Sequence, residues 1–483
     1  MKIEPLRTYK PRDFALLTPG HKCLYVETKY GKQLFSGVRD VSNALLKLDK
    51  FTCYVPAGLE RLKQTTNARE WVLTTWKHKA VKMTHVPSGV VVTSLRSTLE
   101  GSDDPFRDLN KTLEWLRGYG IPPASISSMS WKLLRASISN EVSIAANPEI
   151  TRSSFFGGRQ EISKPGTYEG MRAWDIKAAY PTAMADRDFA LSLRKVDNST
   201  ELDPTQAGLA RASVYVPRDL PYPPLPVRIT DEAIQFQWGK LEGTWTWVEL
   251  AAAKSLGCQV TVLENYAPGR TLDLFTNWWD MGQEGRNLSG PSGNMAKAIV
   301  NSTWGQFAMN GTNKQEIAWS DDKGEEPYET NLPNRGMPHR FAVHIASEVT
   351  ARVRTQTLLE GIYGMTTRPV HIDTDGIIVS NDTKALKNVG EEYGQWRIKE
   401  DIRLMELRAP QLYRYIKPDN PERWYYVASG LNYEAARQVF ERNNEASEIS
   451  YLSLNDVVLP SGDSDNEVFL ELLLQEARSL GVN

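Results

Sequence analysis

The sequence predicts a mixed α/β protein of several domains, and three observations carry that prediction. At 483 residues it is long for one core, and about 150 residues per domain gives two to four units. Short runs of β-formers alternate along the chain with stretches whose apolar residues recur at helical spacing. Glycine and proline punctuate these runs, at residues 120–123, 155–159 and 289–293 among others. With 41% hydrophobic residues, 24% charged residues and a net charge of -2, the composition is that of a globular protein and excludes a disordered one. No apolar run approaches the ~20 residues that span a bilayer, and the start MKIEPLRTYKPRDF lacks the apolar stretch of a signal peptide. A cytoplasmic protein with no membrane partner is therefore expected. Cys23, Cys53 and Cys258 lie far apart and do not cluster with histidines, so neither a disulfide framework nor a Cys/His zinc site is expected.

In order along the chain, residues 22–27 (KCLYVE) alternate as a strand and residues 41–51 read as an amphipathic helix. Residues 88–94 form another strand, and LNKTLEWLRGYG (109–120) a helix closed by glycine before Pro122 and Pro123. A helical piece (SISSMSWKLLRASI) and a glycine-rich turn at residues 155–159 follow. From Ala173 a strand ends in Asp175 and runs into a helix at Pro181. Residues 203–240 read as sheet with irregular loops, residues 245–256 as a helix stopped by Gly257, and residues 270–282 and 293–308 as two helices joined by a turn. A polar stretch (311–338), a helix (341–362) and a hairpin at residues 373–376 complete the reading.

The near-zero net charge hides an asymmetry. Residues 1–100 carry 17 basic against 8 acidic residues, whereas residues 420–483 carry 4 basic against 11 acidic. In the basic part, residues 61–82 interleave Lys77, Lys79 and other cations with Trp71 and Trp76. Cations neutralise phosphates and aromatic rings stack unpaired bases, so this stretch is a candidate single-strand binding surface. The other reading is a basic face with two core tryptophans.

Three stretches carry chemistry. In VHIDTDGIIVS (370–380), Asp373 and Asp375 sit between two β-runs, where two like charges repel and a divalent cation would remove the cost; the other reading is an exposed turn, since Asp-Thr-Asp-Gly is good turn chemistry. In AWDIKAAYPTAM (173–184), a strand delivers Asp175, with Tyr180 five residues on. In NMAKAIVNSTWGQFAM (294–309), helical spacing puts Lys297, Asn301, Trp304 and Gly305 on one face, a cation, an amide and an aromatic together.

Taken in order, Asp-x-x-x-x-Tyr-Pro, Lys-x-x-x-Asn-Ser-x-x-Gly and Asp-Thr-Asp resemble motifs A, B and C of family B DNA polymerases. Phe155-Phe156-Gly157-Gly158-Arg159 resembles the family's Tyr-x-Gly-Gly element, with Phe155 in the tyrosine's place. The resemblance covers roughly residues 120–420. It implies that Asp175 and Asp375, with the carbonyl of Ile176, hold two Mg²⁺ ions, for which Mn²⁺ can substitute, and that Asp373 takes part less directly. It implies that Lys297 contacts the nucleotide phosphates, with Arg286 as a second candidate. Tyr180 would exclude the ribose 2′-hydroxyl and so select dNTPs, while Asn301, Trp304 and Gly305 would line the nascent base pair. Phe156, Gly157, Gly158 and Arg159 would contact DNA, as would Tyr413 and Arg414 in APQLYRY (409–415), which resembles the family's Lys-x-Tyr element.

The departures are as informative. Gly376 stands where the family has serine, Trp304 where it has tyrosine, and Gln411 where it has lysine, with Arg408 or Arg414 as candidate replacements for the lost phosphate contact. The exonuclease domain that commonly precedes such a polymerase needs four carboxylates for two metals. Here Tyr25-Val26-Glu27 keeps only Glu27, residues 54–58 offer none, and Asp103, Asp104 and Asp108 could supply only one motif. The resemblance thus implies a right hand of palm, fingers and thumb behind a degenerate RNase H-like exonuclease domain without proofreading. The expected domains are 1–120 (exonuclease-like), 121–268 (linker, motif A palm and an insertion), 269–310 (fingers), 311–410 (insertion and motif C palm) and 411–483 (thumb). Primer–template DNA and dNTPs are the implied partners of a monomer replicating a phage or linear-plasmid genome, joined by a terminal protein if it belongs to the protein-primed branch. A primase-like or template-independent nucleotidyltransferase and a catalytically silent DNA-binding relative remain the alternatives.

Overall fold

The computed structural model describes residues 1–6, 13–20, 23–46, 52–55, 59, 71–76, 79–95, 99, 102–145, 148–196, 199–229, 234–309, 314–319, 327–331, 342–384, 387–428 and 433–442. They fall into two units. One joins Met1–Ile144 to Asp273–Ala342, and the other joins Ala145–Leu272 to Val343–Asn483.

The first unit is built on a nine-stranded sheet in the order Pro327–Asn331, Lys314–Trp319, Trp71–Trp76, Lys79–His85, Val91–Ser94, Thr52–Val55, Phe14–Gly20, Cys23–Thr28, Gly31–Ser36. The last three strands form an antiparallel meander. Phe14–Gly20 pairs in parallel with Thr52–Val55, and that strand in parallel with Val91–Ser94. This mixed core is the arrangement expected of an RNase H-like domain. The alternation read in residues 22–27 places Leu24 and Val26 inward with Leu17, Val41, Leu45, Val55 and Val92. The polar segment 311–338 is the stretch expected to be an insertion. Its described strand Lys314–Trp319 pairs antiparallel with Trp71–Trp76 and extends the N-terminal sheet.

The same unit holds a helical group. Asp104 accepts a hydrogen bond from the backbone N–H of Arg107 (3.0 Å) and caps Pro105–Gly118, whose Pro105 suits the first turn. Ser125 caps Ile126–Ser137 in the same way. The helix Thr276–Arg286 packs closely on Pro105–Gly118 because Gly285 has no side chain, a Cβ there lying 2.5 Å from the Trp115 ring, and Gly290–Asn301 joins the same helix through Ser292, whose Oγ donates to the carbonyl of Asp108 (3.0 Å). The helix expected over 293–308 is broken at Ser302, and a short segment, Thr303–Phe307, follows.

The second unit has a seven-stranded antiparallel sheet in the order Gln160–Ile162, His371–Asp373, Gly376–Ser380, Gly166–Ile176, Trp396–Ala409, Leu412–Lys417, Asn420–Ala428. One face buries Trp174, Ile176, Ile377, Val379 and Trp396 with Val353, Leu358 and Ile362. The last three belong to helix Val343–Gln356 and the π-helical turn Thr357–Ile362 that continues it. The stretch expected to begin the thumb at residue 411 instead adds two strands to this sheet: Leu412–Lys417 pairs antiparallel with Trp396–Ala409, and Asn420–Ala428 with Leu412–Lys417. Within the first segment of this unit, Leu193–Val196, Gln259–Pro268, Leu209–Val216 and Gly239–Thr246 form a four-stranded sheet in that order, with helix Trp247–Ser255 following its last strand. Thr246 and Glu249 form that helix's capping box. Among the described residues no helix is long and apolar enough to cross a membrane.

Candidate active site

Three carboxylates lie at one end of the seven-stranded sheet. Asp175 is the penultimate residue of Gly166–Ile176, and the neighbouring hairpin carries Asp373 at the end of one strand and Asp375 in the turn. The two parts are tied by their backbones, with the N–H of Ile176 donating to the carbonyl of Asp375 (2.9 Å). The turn holds only two residues, and its first, Thr374, has φ 60°. Glycine normally fills that place in a turn, and a β-branched residue there is strained. The surroundings hold it. The Thr374 N–H donates to the carbonyl of Arg159 (2.7 Å), and the Thr357 hydroxyl donates to the carbonyl of Thr374 (3.1 Å). Ala178, next to the motif A carboxylate, is also left-handed (φ 55°), as is Gln411 (φ 57°). Strain concentrated in this way points to a functional site.

The electrostatics agree. Burial, with Asp175 and Asp373 nearby, pushes the carboxyl of Asp375 up to about 6. A buried hard-oxygen donor whose charge is penalised fits a divalent cation, which would remove the penalty. Asp373 accepts from the side-chain amides of Gln411 (2.8 Å) and Gln160 (3.4 Å). Asp175 accepts from Arg397 Nε (2.9 Å). Gln160 and Arg397 are not marked by sequence pattern, since each depends on strand register; Gln411 stands where the resemblance places a lysine, but its bond to Asp373 is not visible there.

The glycine-rich loop at residues 155–159 lies against this turn. A Cβ at Gly158 would sit 2.6 Å from the Thr374 hydroxyl oxygen, so only glycine allows the approach. Two DNA contacts expected here are corrected. Phe156 is 4% exposed, in the core of the four-stranded sheet. Arg159 is 1% exposed; its Nε and Nη2 reach Glu161 Oε2 (3.0 and 2.7 Å) and its Nη1 the carbonyl of Pro223 (2.8 Å). Their side chains hold the loop rather than face a ligand. Tyr180 packs against the Trp174 cluster, and burial raises its phenol. Tyr413 lies beside His371, the rings tilted by 59° with 5.0 Å between their centres. Arg414 is not available to replace the missing lysine. It and Arg408 both bind Glu406, and Arg414 lies over the Trp424 ring at 4.3 Å.

The motif B residues lie in the other unit. Lys297 is exposed, and Asn301, Trp304 and Gly305 are half-buried on the same outward side, while Met295, Ala296, Ile299, Val300 and Phe307 face inward. Arg286 donates to Asn301 Oδ1 (3.2 Å). In the N-terminal sheet Trp71 is a core residue, 1% exposed, so its ring is not a stacking platform. Lys77 lies outside the described residues, as do the side chains of Trp76 and Lys79. Of the acidic residues considered for an exonuclease site, Asp104 serves as a helix cap. Asp108 is buried and accepts from Ser102 Oγ (2.6 Å).

Residues 124–343 match the family described as DNA polymerase type B, organellar and viral. The matched stretch is that of a family B DNA polymerase. The chain is a DNA-directed DNA polymerase. The fold of the chain is similar to that of Phi29 DNA polymerase in an orthorhombic crystal form, with TM-score 0.65 and 12% identity over 89% of this chain and 95% of that one. The same likeness holds for Phi29 DNA polymerase complexed with primer-template DNA and incoming nucleotide substrates, with TM-score 0.66 and 10% identity over 89% and 94% of the two chains. At such identities the likeness is one of fold. No curated protein matches this polymerase by sequence.

Proposed function

We propose that this polymerase adds dNTPs to a primer 3′-hydroxyl by two-metal nucleotidyl transfer on a DNA template, and that it lacks 3′–5′ proofreading. The observation that carries the first part is the backbone-tied junction of Asp175 with the strained Asp373-Thr374-Asp375 turn. Mg²⁺, or Mn²⁺ in its place, held by Asp175, the Ile176 carbonyl and Asp375, would supply the Lewis acid that activates the hydroxyl and neutralises the leaving pyrophosphate. The protein's own share is positioning. Gln411 and Gln160 orient Asp373, and the Gly157-Gly158 loop braces the turn. Lys297 takes nucleotide phosphates, and Arg286 acts with it while orienting Asn301. Trp304 and Gly305 line the nascent base pair.

In this reading the seven-stranded sheet is the palm, the helices Thr276–Arg286 and Gly290–Asn301 are the fingers, and the N-terminal sheet is a reduced exonuclease-like domain. The thumb follows Ala428. Primer–template DNA and dNTPs are the substrates of a monomeric enzyme in phage or linear-plasmid replication, with a terminal protein as partner if priming is by protein. The fold likeness to Phi29 DNA polymerase, solved with primer-template DNA and incoming nucleotides, supports the choice of substrates. The missing proofreading is supported by Glu27 standing without a second carboxylate on its strand and by the capping role of Asp104.

Primer extension tests this. With Mg²⁺ and dNTPs a 5′-labelled primer should lengthen only when annealed to template. Growth without template would favour the template-independent alternative. Without dNTPs the same primer should keep its length, and shortening from the 3′ end would overturn the proofreading-deficient reading. A second expectation concerns sugar choice. Tyr180→Ala removes the ring proposed as the gate, and incorporation of rNTPs relative to dNTPs should rise about 10²-fold or more, since an unfilled pocket no longer rejects the hydroxyl.

A further inference from the structure

The motif A carboxylate has a cation beside it that the nucleotidyl-transfer reading does not use. Asp175 lies in the register between two strands. On one side it faces Gly376, which presents no side chain, and on the other it faces Arg397. Residues opposed across an antiparallel pair point to the same face, so the sheet itself brings the guanidinium to the carboxylate. A β-bulge decides this pairing. Ala173 opposes Glu400 while Trp174 opposes Ile398, so Lys399 is the extra residue. Unbroken register from Ala173 would have set Ile398 opposite Asp175. The bulge sets Arg397 there instead, and bulges beside active sites commonly re-aim a side chain in this way. Arg397 Nε then lies 2.9 Å from Asp175 Oδ1, a charge-assisted hydrogen bond between side chains that are 38% and 20% exposed. With Asp175 turned to Arg397 and Asp373 held by Gln411 and Gln160, no three metal-ligating side chains converge on one point among the described residues.

We propose that Arg397 is a counter-cation built into this site, competing with the divalent metal for the Asp175 carboxylate and so setting the metal concentration at which the site fills. The inference rests on the metal-binding reading above and deepens it. The cation and the guanidinium want the same oxygens, and the pair is partly solvated, so neither the bond nor its loss is prohibitive. The guanidinium neutralises part of the charge in a cluster where burial already penalises Asp375. When metal takes Asp175, Arg397 moves off along the solvent side of its strand, where its side chain is already more than a third exposed.

The test is direct metal binding. Mn²⁺ is titrated into the full-length protein without DNA or nucleotide, and free Mn²⁺ is read by electron paramagnetic resonance. Asp375→Asn identifies the binding that belongs to this site. Arg397→Gln should tighten that component about two- to fivefold, the range expected on releasing a partly exposed ion pair. Arg397→Lys, which keeps a cation there, should stay near the wild-type value, and Arg397→Met should repeat the effect of Arg397→Gln. The Mg²⁺ concentration for half-maximal primer extension should fall in parallel. Unchanged or weaker Mn²⁺ binding in both Arg397→Gln and Arg397→Met, while Asp375→Asn still abolishes the component, would overturn the counter-cation and leave the metal site standing. Binding that Asp375→Asn does not alter would overturn the metal reading and the counter-cation with it.

Discussion

Asp375→Ala should reduce dNTP incorporation by about 10³-fold or more while leaving primer–template affinity within about twofold, because the proposed chemistry depends on charge neutralisation that no other group at this turn supplies. Asp375→Asn keeps the shape and should lose activity nearly as completely. It also separates chemistry from folding. Burial raises this carboxyl to about 6, so its charge is a cost to the folded protein. Removing that charge should leave the thermal midpoint, measured with chelator, at or above that of the wild type. Activity above a tenth of wild type in either variant would sink the assignment of Asp375 as a metal ligand.

The second large effect is on stability. Arg354 is 3% exposed on the helix Val343–Gln356. Its Nε and Nη2 donate to Glu249 Oε1 (3.1 and 2.7 Å), and its Nη1 donates to the carbonyls of Phe156 and Gly157 (both 2.7 Å). One side chain thus joins three parts of its unit: its own helix, the capping box of Trp247–Ser255 and the glycine-rich loop. Arg354→Met leaves Glu249 charged, buried and unpaired, which should cost about 3–5 kcal/mol in denaturant unfolding of this unit. Adding Glu249→Gln removes the stranded charge but keeps an acceptor for Thr246, and should restore more than half of the loss. A single-variant loss below about 1 kcal/mol would mean that Glu249 finds solvent, contrary to its burial. Because the same loop braces Thr374, primer extension by the folded single variant should also slow.

Much of this was legible in the sequence, and the reasons differ from part to part. The motif carboxylates, Tyr180 and the outward side of Lys297, Asn301 and Trp304 could be read because strand alternation and helical spacing are local properties. The seven-stranded sheet could not, because it joins Gly166–Ile176 to strands more than two hundred residues later, and pairing of that kind leaves no local trace. The same holds for Arg397, Gln160 and Gln411, which reach the carboxylates only through register. Trp71 and Arg159 show the opposite failure. A basic, aromatic stretch suggested a nucleic-acid surface for Trp71 and a motif resemblance suggested one for Arg159, but a large ring and a long cation with several donors also suit a core whose polar groups find partners. The Gly158 approach to Thr374 lay between these cases: the paired glycines were visible as a turn, but the neighbour that requires one of them was not.

The strand Lys314–Trp319 has a consequence for how the protein is made. It is the element that covers Trp71–Trp76, with Leu73 paired to Ile317. During synthesis the N-terminal sheet emerges long before that partner, and until it arrives the ladder positions along Trp71–Trp76 stay open on one side. Such an edge invites pairing with other chains, and closure across so long a stretch is intrinsically slow. The nascent polymerase thus passes through a stage in which its N-terminal half has its core but not its border, and a fragment cut before residue 314 would remain at that stage, prone to associate with itself.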